Sequence, residues 1–224
     1  MADYLAEPAD GAGPHPGVIV IHEAYGLDDD IRAKADRLAS RGYLAQAVDL
    51  FDHGPRVKCT LAAFRSLATG KGPAFDEIDA ARGRLAARAD CAGKVGVIGF
   101  CMGGGFALLC APRLDFAAAA ANYGIVPRNA AEVLKGACPI VASYGGRDVA
   151  LRGAAGKLET ALAKAGVEHD VKEYPDASHS FLNQHTSGVS GALARISGMN
   201  YHGPSAVDAW RRIDAFFDEH LTAA

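Results

Sequence analysis

The stretch KVGVIGFCMGGGFALL, residues 94–109, places a cysteine between an apolar run and a cluster of glycines. The run before the cysteine has the composition of a buried strand, and the segment after it has that of a buried helix. Residues 99–103, Gly-Phe-Cys-Met-Gly, fit the pattern G-x-nucleophile-x-G, in which glycines permit a turn too sharp for bulkier neighbours. This pattern predicts a strand–turn–helix unit that raises Cys101 above the carboxyl edge of a sheet.

The rest of the chain repeats the alternation of apolar runs and amphipathic segments. We expect strands at 17–22, 43–49, 94–100, 116–124, 138–146 and 168–175, and helices at 28–42, 74–88, 102–111, 154–166 and 205–221. Strands that alternate with helices predict an α/β fold, with a mainly parallel sheet covered by helices on both faces. The 224 residues fit one domain over 1–224.

Two stretches interrupt this alternation. Residues 49–73 show only a weak helical pattern between turn signals, and residues 183–204 are rich in glycine and serine. The second stretch is longer than an ordinary connection. Because ligands bind at the carboxyl edge of open α/β sheets, we expect 183–204 to form a mobile lid or loop there.

Composition excludes several classes of partner. The 23 basic and 26 acidic residues give a net charge of −3, without the basic stripe that nucleic acid binding requires. No signal peptide pattern and no apolar run of about 20 residues is present, so we expect a cytoplasmic protein that does not bind membranes. The five cysteines form no C-x-x-C pair, which argues against a disulfide framework and a zinc site.

A cysteine nucleophile needs a base, and the base needs an acid that orients it. In this architecture they follow the nucleophile in the order acid, histidine. Asp148 follows the strand predicted at 138–146, and His179 follows the one at 168–175. Asp176 ranks second as the acid, because it lies three residues from His179 in the same loop and is better placed to shape the turn. The remaining histidines considered lie in turn-rich or helix-end sequence and are expected in solvent: His15, His53 and His220.

Four stretches of the chain resemble the dienelactone hydrolase family, whose members are α/β-hydrolases with a cysteine nucleophile. They are GVIVIHEAYGLDDDIR at 17–32, KVGVIGFCMGGGFAL at 94–108, YGGRD at 144–148 and YPDASHSF at 174–181. The resemblance covers residues 17 to about 181. It implies that Cys101 is the nucleophile, His179 its base and Asp148 the group that orients the base.

The resemblance also implies that Glu23 is an acidic residue beside the thiol. A carboxylate there disfavours the thiolate until a substrate displaces it. Judged on the residues alone, Glu23 is as consistent with a turn carboxylate that faces solvent. The oxyanion hole is expected from the backbone N–H groups of Met102 and Ala24.

The substrate pocket is the least determined part of the sequence. Tyr123, Tyr144 and Phe181 are candidates for its lining, although tyrosines at strand ends are as often core residues with a hydrogen-bonded hydroxyl. Family members that act on dienelactone carry an arginine four residues after the catalytic histidine, where this chain has Asn183. The cations that could replace it from neighbouring loops are Arg65, Lys71 and Arg152. Without a replacement, the pocket suits neutral esters or lactones.

The sequence therefore predicts a hydrolase that cleaves a small ester or lactone through an acyl-enzyme. This chemistry requires no cofactor or metal ion. One alternative is a general carboxylesterase or thioesterase for neutral esters, and another is a ligand-binding protein of the hydrolase fold without catalysis. The expected partner is a small-molecule ester or lactone, and the expected state is a monomer or small homo-oligomer.

Overall fold

The computed structural model describes residues 3–9, 11, 13–52, 54–184 and 200–222. The strands are β1 (Tyr4–Ala6), β2 (His15–Ile21), β3 (Leu44–Val48), β4 (Cys91–Phe100), β5 (Ala118–Asn122), β6 (Ile140–Gly145) and β7 (His169–Tyr174). The helices are α1 (Asp29–Ala39), α2 (Arg56–Thr69), α3 (Pro73–Ala86), α4 (Met102–Cys110), α5 (Ala130–Val133), α6 (Ala154–Ala165) and α7 (Gly203–Phe217), followed by a π-helical turn at Asp218–Thr222.

The strands form one seven-stranded sheet in the order β1-β3-β2-β4-β5-β6-β7. Strand β1 pairs antiparallel with β3, and every other pair is parallel. Strand β4 lies at the centre, between β2 and β5. The carboxyl ends of the parallel strands meet at one edge, so the segments that follow them are neighbours in space. The predicted α/β fold with a mainly parallel sheet is confirmed.

Successive residues of each strand point to opposite faces of the sheet, and each face has its own core. Ile19 of β2 belongs to a cluster with Phe106 of α4 and Leu158 of α6. The next residue, Val20, belongs to a second cluster with Phe217 of α7. Because apolar residues cover both faces, strands such as β3 and β6 are buried along their whole length.

The chain departs from its sequence pattern in the weakly helical stretch and at the sheet edge. Residues 49–73 contain a complete helix, α2, which ends at Gly70 in a left-handed conformation with φ of 66°. Only Ala63 and Ser66 of α2 are buried, which explains the weak apolar pattern. Strand β1 was not expected, because three residues are too few to show a period.

The lid or loop expected at 183–204 lies mostly beyond what can be described, since residues 185–199 are outside the described residues. The longest described helix, α7, has 15 residues. No described helix is both long enough and apolar enough to cross a membrane.

The first turn of α4 packs directly on the backbone at the ends of two strands. A Cβ atom on Gly103 would lie 2.2 Å from the carbonyl oxygen of Ile21, and one on Gly104 would lie 2.5 Å from that of Asn122. A Cβ on Gly99 would lie 1.9 Å from the carbonyl oxygen of Gly103. Backbone atoms cannot rotate away as side chains can, so this approach requires glycine.

We expect Gly103→Ala to lower the free energy of unfolding by about 3 kcal/mol or more, because its methyl group overlaps backbone. The matched control is Gly156→Ala in α6, where a Cβ meets nothing within 4 Å. Alanine there should stabilise the protein by about 1 kcal/mol through helix propensity. Urea unfolding of the two variants measures both effects, and unchanged stability of Gly103→Ala would contradict the packing described.

Candidate active site

Cys101 occupies the turn between β4 and α4 in a strained conformation, with φ of 53° and ψ of −112°. Its N–H donates to the carbonyl oxygen of Asn122 at 3.1 Å, and its own carbonyl accepts from Gly105 N at 3.2 Å. Such strain costs about 1–3 kcal/mol and persists only where surrounding contacts enforce it. The half-buried thiol stands at the N-terminus of a nine-residue helix, where the helix dipole favours negative charge.

His179 and Asp148 meet on the loops that follow β7 and β6. The Nδ1 atom of His179 lies 2.5 Å from Asp148 Oδ2, and the Asp148 side chain is only 2% exposed. The other carboxylate oxygen, Oδ1, accepts from the N–H groups of Ala150 at 3.0 Å and Leu151 at 3.2 Å. Burial by itself raises the pKa of Asp148, but these hydrogen bonds and His179 hold it below its usual value. Asp148 is therefore an anion that orients the imidazole.

Asp176, the second-ranked acid, has a different partner. Its Oδ1 atom accepts from Arg147 Nη2 at 2.7 Å, and both side chains are about two-thirds exposed. The structure therefore brings Asp148, the first-ranked acid, to the histidine.

The pKa of His179 responds to both Asp148 and Cys101. Burial alone lowers the pKa of His179, but the hydrogen bonds to Asp148 and Cys101 and the charges of both raise it to about 10. Because Nδ1 contacts the carboxylate, Nε2 is the nitrogen that faces the thiol. An imidazole with so high a pKa is protonated at neutral pH. The ring can therefore act as a proton donor beside the thiol.

Glu23 is buried at 3% exposure, which contradicts the solvent-facing alternative. Its Oε1 atom accepts from the hydroxyl of Ser180 at 3.2 Å, and Ser180 directly follows His179. Burial raises the pKa of Tyr25, and the charges of Glu23 and Cys101 raise it further. Glu23 and the thiol thus both act electrostatically on Tyr25, at one edge of the sheet.

The two expected oxyanion donors lie on adjacent segments. A Cβ on Gly103 would lie 2.8 Å from the carbonyl oxygen of His22, so the first turn of α4 touches the segment that carries Ala24. The Met102 N–H belongs to that first turn and has no acceptor within its own helix.

Three residues predicted to line the pocket, Tyr123, Phe181 and Asn183, form a cluster next to the His179 ring. The Tyr123 hydroxyl donates to Asn183 Oδ1 at 2.8 Å, and the two residues are 0% and 3% exposed. The Tyr123 ring centroid lies 5.2 Å from that of His179 and 5.6 Å from that of Phe181. The Asn183 side chain therefore points inward, to a tyrosine that supports the histidine.

The fourth predicted pocket residue, Tyr144, belongs to the core on the opposite face from Tyr123. Its hydroxyl donates to the carbonyl oxygen of Gly124 at 3.0 Å. This is the core tyrosine that the sequence left open as an alternative. The cations suggested as replacements for the missing arginine are all exposed: Arg65, Lys71 and Arg152.

The histidines expected in solvent differ from one another. His15 is half-buried in β2, and His53 is outside the described residues. For His220 the expectation is wrong, because its side chain is 14% exposed and its ring packs on Phe216 at 4.4 Å.

Among the residues described, one group could hold a metal ion: Glu168, Glu219 and His220. Their ligand atoms lie within 4.8 Å of one another. The group is at the amino edge of the sheet, away from Cys101.

Three residues beside Glu23 and His179 were not identified from the sequence: His22, Tyr25 and Ser180. Tyr25 and Ser180 are close in sequence to Glu23 and His179, and that proximity was the available signal. His22 Nε2 accepts from Leu50 N at 3.0 Å, and its Nδ1 atom lies 2.6 Å from the Glu23 carbonyl oxygen. The distance between residues 22 and 50 in the chain hides this contact from sequence analysis.

Comparison with known proteins identifies the family. The sequence pattern of the dienelactone hydrolase family matches residues 1–221. The chain belongs to the dienelactone hydrolase family. A Yersinia pestis protein named "Putative carboxymethylenebutenolidase" is 29% identical over 241 residues, which cover 99% of this chain and 84% of that protein.

Solved structures show the same family and fold. The crystal structure named "Putative Dienelactone Hydrolase" from Klebsiella pneumoniae subsp. pneumoniae MGH 78578 is 30% identical, with a TM-score of 0.76 and coverage of 96% of this chain and 91% of that one. A dienelactone hydrolase-like promiscuous phosphotriesterase from metagenomic libraries shares the fold at 24% identity, with a TM-score of 0.75 and coverage of 98% and 92%. This chain is accordingly a hydrolase of the dienelactone hydrolase family, related to esterases and lactonases.

We expect Asp148→Asn to lower the pKa of His179 from about 10, because the neutral amide removes a charge and a hydrogen bond that raise it. The variant ring should then lose its proton at a lower pH in an NMR titration. The folded-state pKa lies above the usual 6.5, so these contacts stabilise the fold fully below pH 6.5 and progressively less as the pH rises to about 10. Asp148→Asn should reduce this pH dependence.

The matched control is Asp176→Asn, which removes a carboxylate paired with Arg147 and should leave the His179 titration in place. Equal shifts in both variants, or a shift only in Asp176→Asn, would contradict the assignment of Asp148.

Proposed function

We propose that this protein hydrolyses small carboxylic esters or lactones through a Cys101–His179–Asp148 triad and an acyl-enzyme intermediate. The observation that carries the proposal is the position of His179 between two groups: its Nδ1 atom lies 2.5 Å from the buried Asp148 carboxylate, and the Cys101 thiol acts on its pKa from the other side. All three groups follow parallel strands at the carboxyl edge of one sheet, where hydrolases of this architecture carry their catalytic groups.

In the acylation half of the reaction, the Cys101 thiolate attacks the carbonyl carbon and the carbonyl electron pair moves to oxygen. The N–H groups of Met102 and Ala24 stabilise the resulting oxyanion. When the C–O bond to the alcohol breaks, the protonated His179 gives its Nε2 proton to the departing oxygen. The products of this half are a thioester on Cys101 and a free alcohol, which remains attached to the acyl chain if the substrate is a lactone.

In the deacylation half, neutral His179 removes a proton from water as the water oxygen attacks the thioester. A second tetrahedral oxyanion forms in the same hole and collapses with release of the thiolate. The acid leaves, and His179 again holds the proton it shares with Cys101. Asp148 stabilises the imidazolium in both halves and is not itself protonated.

We propose that Glu23 regulates this thiolate, as the family resemblance implies. Its burial and its hydrogen bond to Ser180, the neighbour of His179, support a role inside the site. A buried carboxylate near Cys101 opposes formation of a second negative charge on sulfur. Substrate that displaces the carboxylate would remove this opposition.

We further propose that neutral esters or lactones are the preferred substrates. The support is the inward hydrogen bond from Tyr123 to Asn183, at the position where dienelactone-specific members of the family carry an arginine. A substrate carboxylate would meet no cation from this position, and an unpaired charge in a partly buried site is costly. A carboxymethylenebutenolidase that prefers an anionic dienelactone is the second candidate, favoured by the name of the Yersinia pestis relative.

The location proposed for this chemistry is the cytoplasm. All five cysteines are free thiols, as is usual in a reducing compartment.

We expect Cys101→Ala to reduce hydrolysis of a neutral aryl acetate by about 1,000-fold or more, because no other group can form the thioester. Mass spectrometry of quenched wild-type reactions should detect the acyl group on Cys101. The matched control is Cys59→Ala on α2, which removes a half-buried free thiol from outside the triad and should retain full activity. Equal rates for wild type and Cys101→Ala would refute the mechanism, and saturable binding without turnover would favour a ligand-binding protein.

For a dienelactone that bears a carboxylate and for its neutral methyl ester, we expect kcat/KM to favour the methyl ester by about tenfold or more. The ratio should persist at high salt, because long-range repulsion by the net charge of −3 is screened and a missing partner for the carboxylate is not. Preference for the free carboxylate would instead identify a carboxymethylenebutenolidase.

A further inference from the structure

His22 is a fully buried histidine that the proposed mechanism does not use. It follows β2 directly and is 0% exposed. Its ring packs edge to face against Phe51, with centroids 4.6 Å apart. Both ring nitrogens have backbone partners in different segments, Leu50 N for Nε2 at 3.0 Å and Glu23 O for Nδ1 at 2.6 Å. His22 thus connects the loop after β3 to the loop after β2.

These partners determine the tautomer of His22. A backbone N–H can only donate, so the Nε2 atom that faces Leu50 must be the acceptor. The proton of a neutral ring is then on Nδ1, which donates it to the carbonyl oxygen of Glu23. Burial lowers the pKa of His22, which keeps the ring in this neutral form.

The Glu23 carbonyl oxygen accepts a second hydrogen bond, from Gly26 N at 3.1 Å. Because the peptide bond is planar and trans, the carbonyl of residue 23 and the N–H of residue 24 point in opposite directions. Two donors that hold the Glu23 oxygen therefore also set the direction of the Ala24 N–H. Rotation of this peptide would exchange the two groups and present a carbonyl oxygen where the N–H had been.

The preceding peptide, between His22 and Glu23, packs on the helix that follows the nucleophile. The first turn of α4 touches the His22 backbone, since a Cβ on Gly103 would be 2.8 Å from the His22 carbonyl oxygen. In the proposed mechanism, where Ala24 supplies the second donor, the direction of its N–H decides whether that donor is available beside that of Met102.

We infer that His22 is a positioning residue for the oxyanion hole: its Nδ1–H holds the Glu23 carbonyl and thereby orients the Ala24 N–H toward the developing oxyanion. The inference rests on the proposed function, in which Ala24 supplies one of two donors. His22 itself does not touch the substrate. Its effect reaches the reaction through one peptide plane.

Two substitutions separate the contacts of His22. The amide of His22→Asn occupies the region of Nδ1 and retains a donor for Glu23 O. The amide of His22→Gln reaches the region of Nε2 and retains an acceptor for Leu50 N but no donor for Glu23. We expect His22→Gln to lower kcat for a neutral aryl acetate by about 10- to 100-fold with little change in KM, because it weakens one oxyanion donor. His22→Asn should stay within a few-fold of wild type.

Two reagents distinguish this role from a general structural one. Alkylation of Cys101 by iodoacetamide forms no oxyanion, so its rate should be the same in His22→Gln and wild type. An aryl trifluoromethyl ketone accepts the thiolate at its carbonyl carbon and becomes an oxyanion, so its affinity should fall with kcat. Urea unfolding of both variants checks that they remain folded.

Wild-type values of kcat and ketone affinity in His22→Gln would overturn the inference. Equal losses in both variants, accompanied by slower alkylation, would also overturn it, because they indicate a general disturbance of the site. If the wild-type protein forms no acyl-enzyme, the proposed function fails independently of this inference. Crystal structures of the two variants then test whether His22 orients the peptide. A reoriented Glu23–Ala24 peptide in His22→Gln but not in His22→Asn supports the positioning role, and an unchanged peptide in both refutes it.

Discussion

The site depends on backbone contact between the first turn of α4 and the carboxyl ends of β2 and β5. Gly103 and Gly104 permit this contact, because a Cβ atom at either position would overlap a strand carbonyl. The contact holds Cys101 in a strained turn at a helix N-terminus. It also brings the segment after β2 beside the nucleophile, so one constraint places both the thiol and the proposed oxyanion donors.

The acidic groups around the thiol have different surroundings and consequently different roles. Asp148 receives two backbone N–H groups and the His179 ring, which keep it ionised despite its burial. Glu23 contacts the hydroxyl of Ser180 and acts electrostatically on Tyr25, together with Cys101. These surroundings support the proposed roles, in which Asp148 stabilises the imidazolium and Glu23 opposes the thiolate. Residue type does not distinguish the two carboxylates, because both belong to acidic residues that follow parallel strands. Their hydrogen-bond partners distinguish them.

The loop that carries His179 is held by contacts with three other parts of the chain. Ser180 contacts Glu23, Asn183 contacts Tyr123, and Gln184 N donates to Asp30 Oδ1 at 3.0 Å. Asp30 in turn pairs with Lys34, whose ammonium group lies 4.9 Å from the centre of the Phe100 ring, one residue before the nucleophile. These contacts restrain the histidine relative to the thiol. They also turn Asn183 inward, so the residue proposed to set substrate preference contacts the tyrosine beside His179.

The sequence by itself determined the α/β class and the approximate positions of most strands and helices, because apolar periodicity and glycine spacing are local properties. The family came from the resemblance of whole stretches of sequence to known members. The sequence also predicted the order nucleophile, acid, histidine, since each follows a recognisable strand. Only the tertiary structure showed that Asp148, and not Asp176, contacts the histidine, and that Glu23 is buried. It also showed that Tyr144 belongs to the core opposite Tyr123, and it fixed the tautomer of His22. These outcomes depend on distances between segments far apart in the chain, such as Leu50 from His22. The hydrogen bonds and the burial of a side chain depend on which other residues surround it in space. The local sequence pattern does not contain that information.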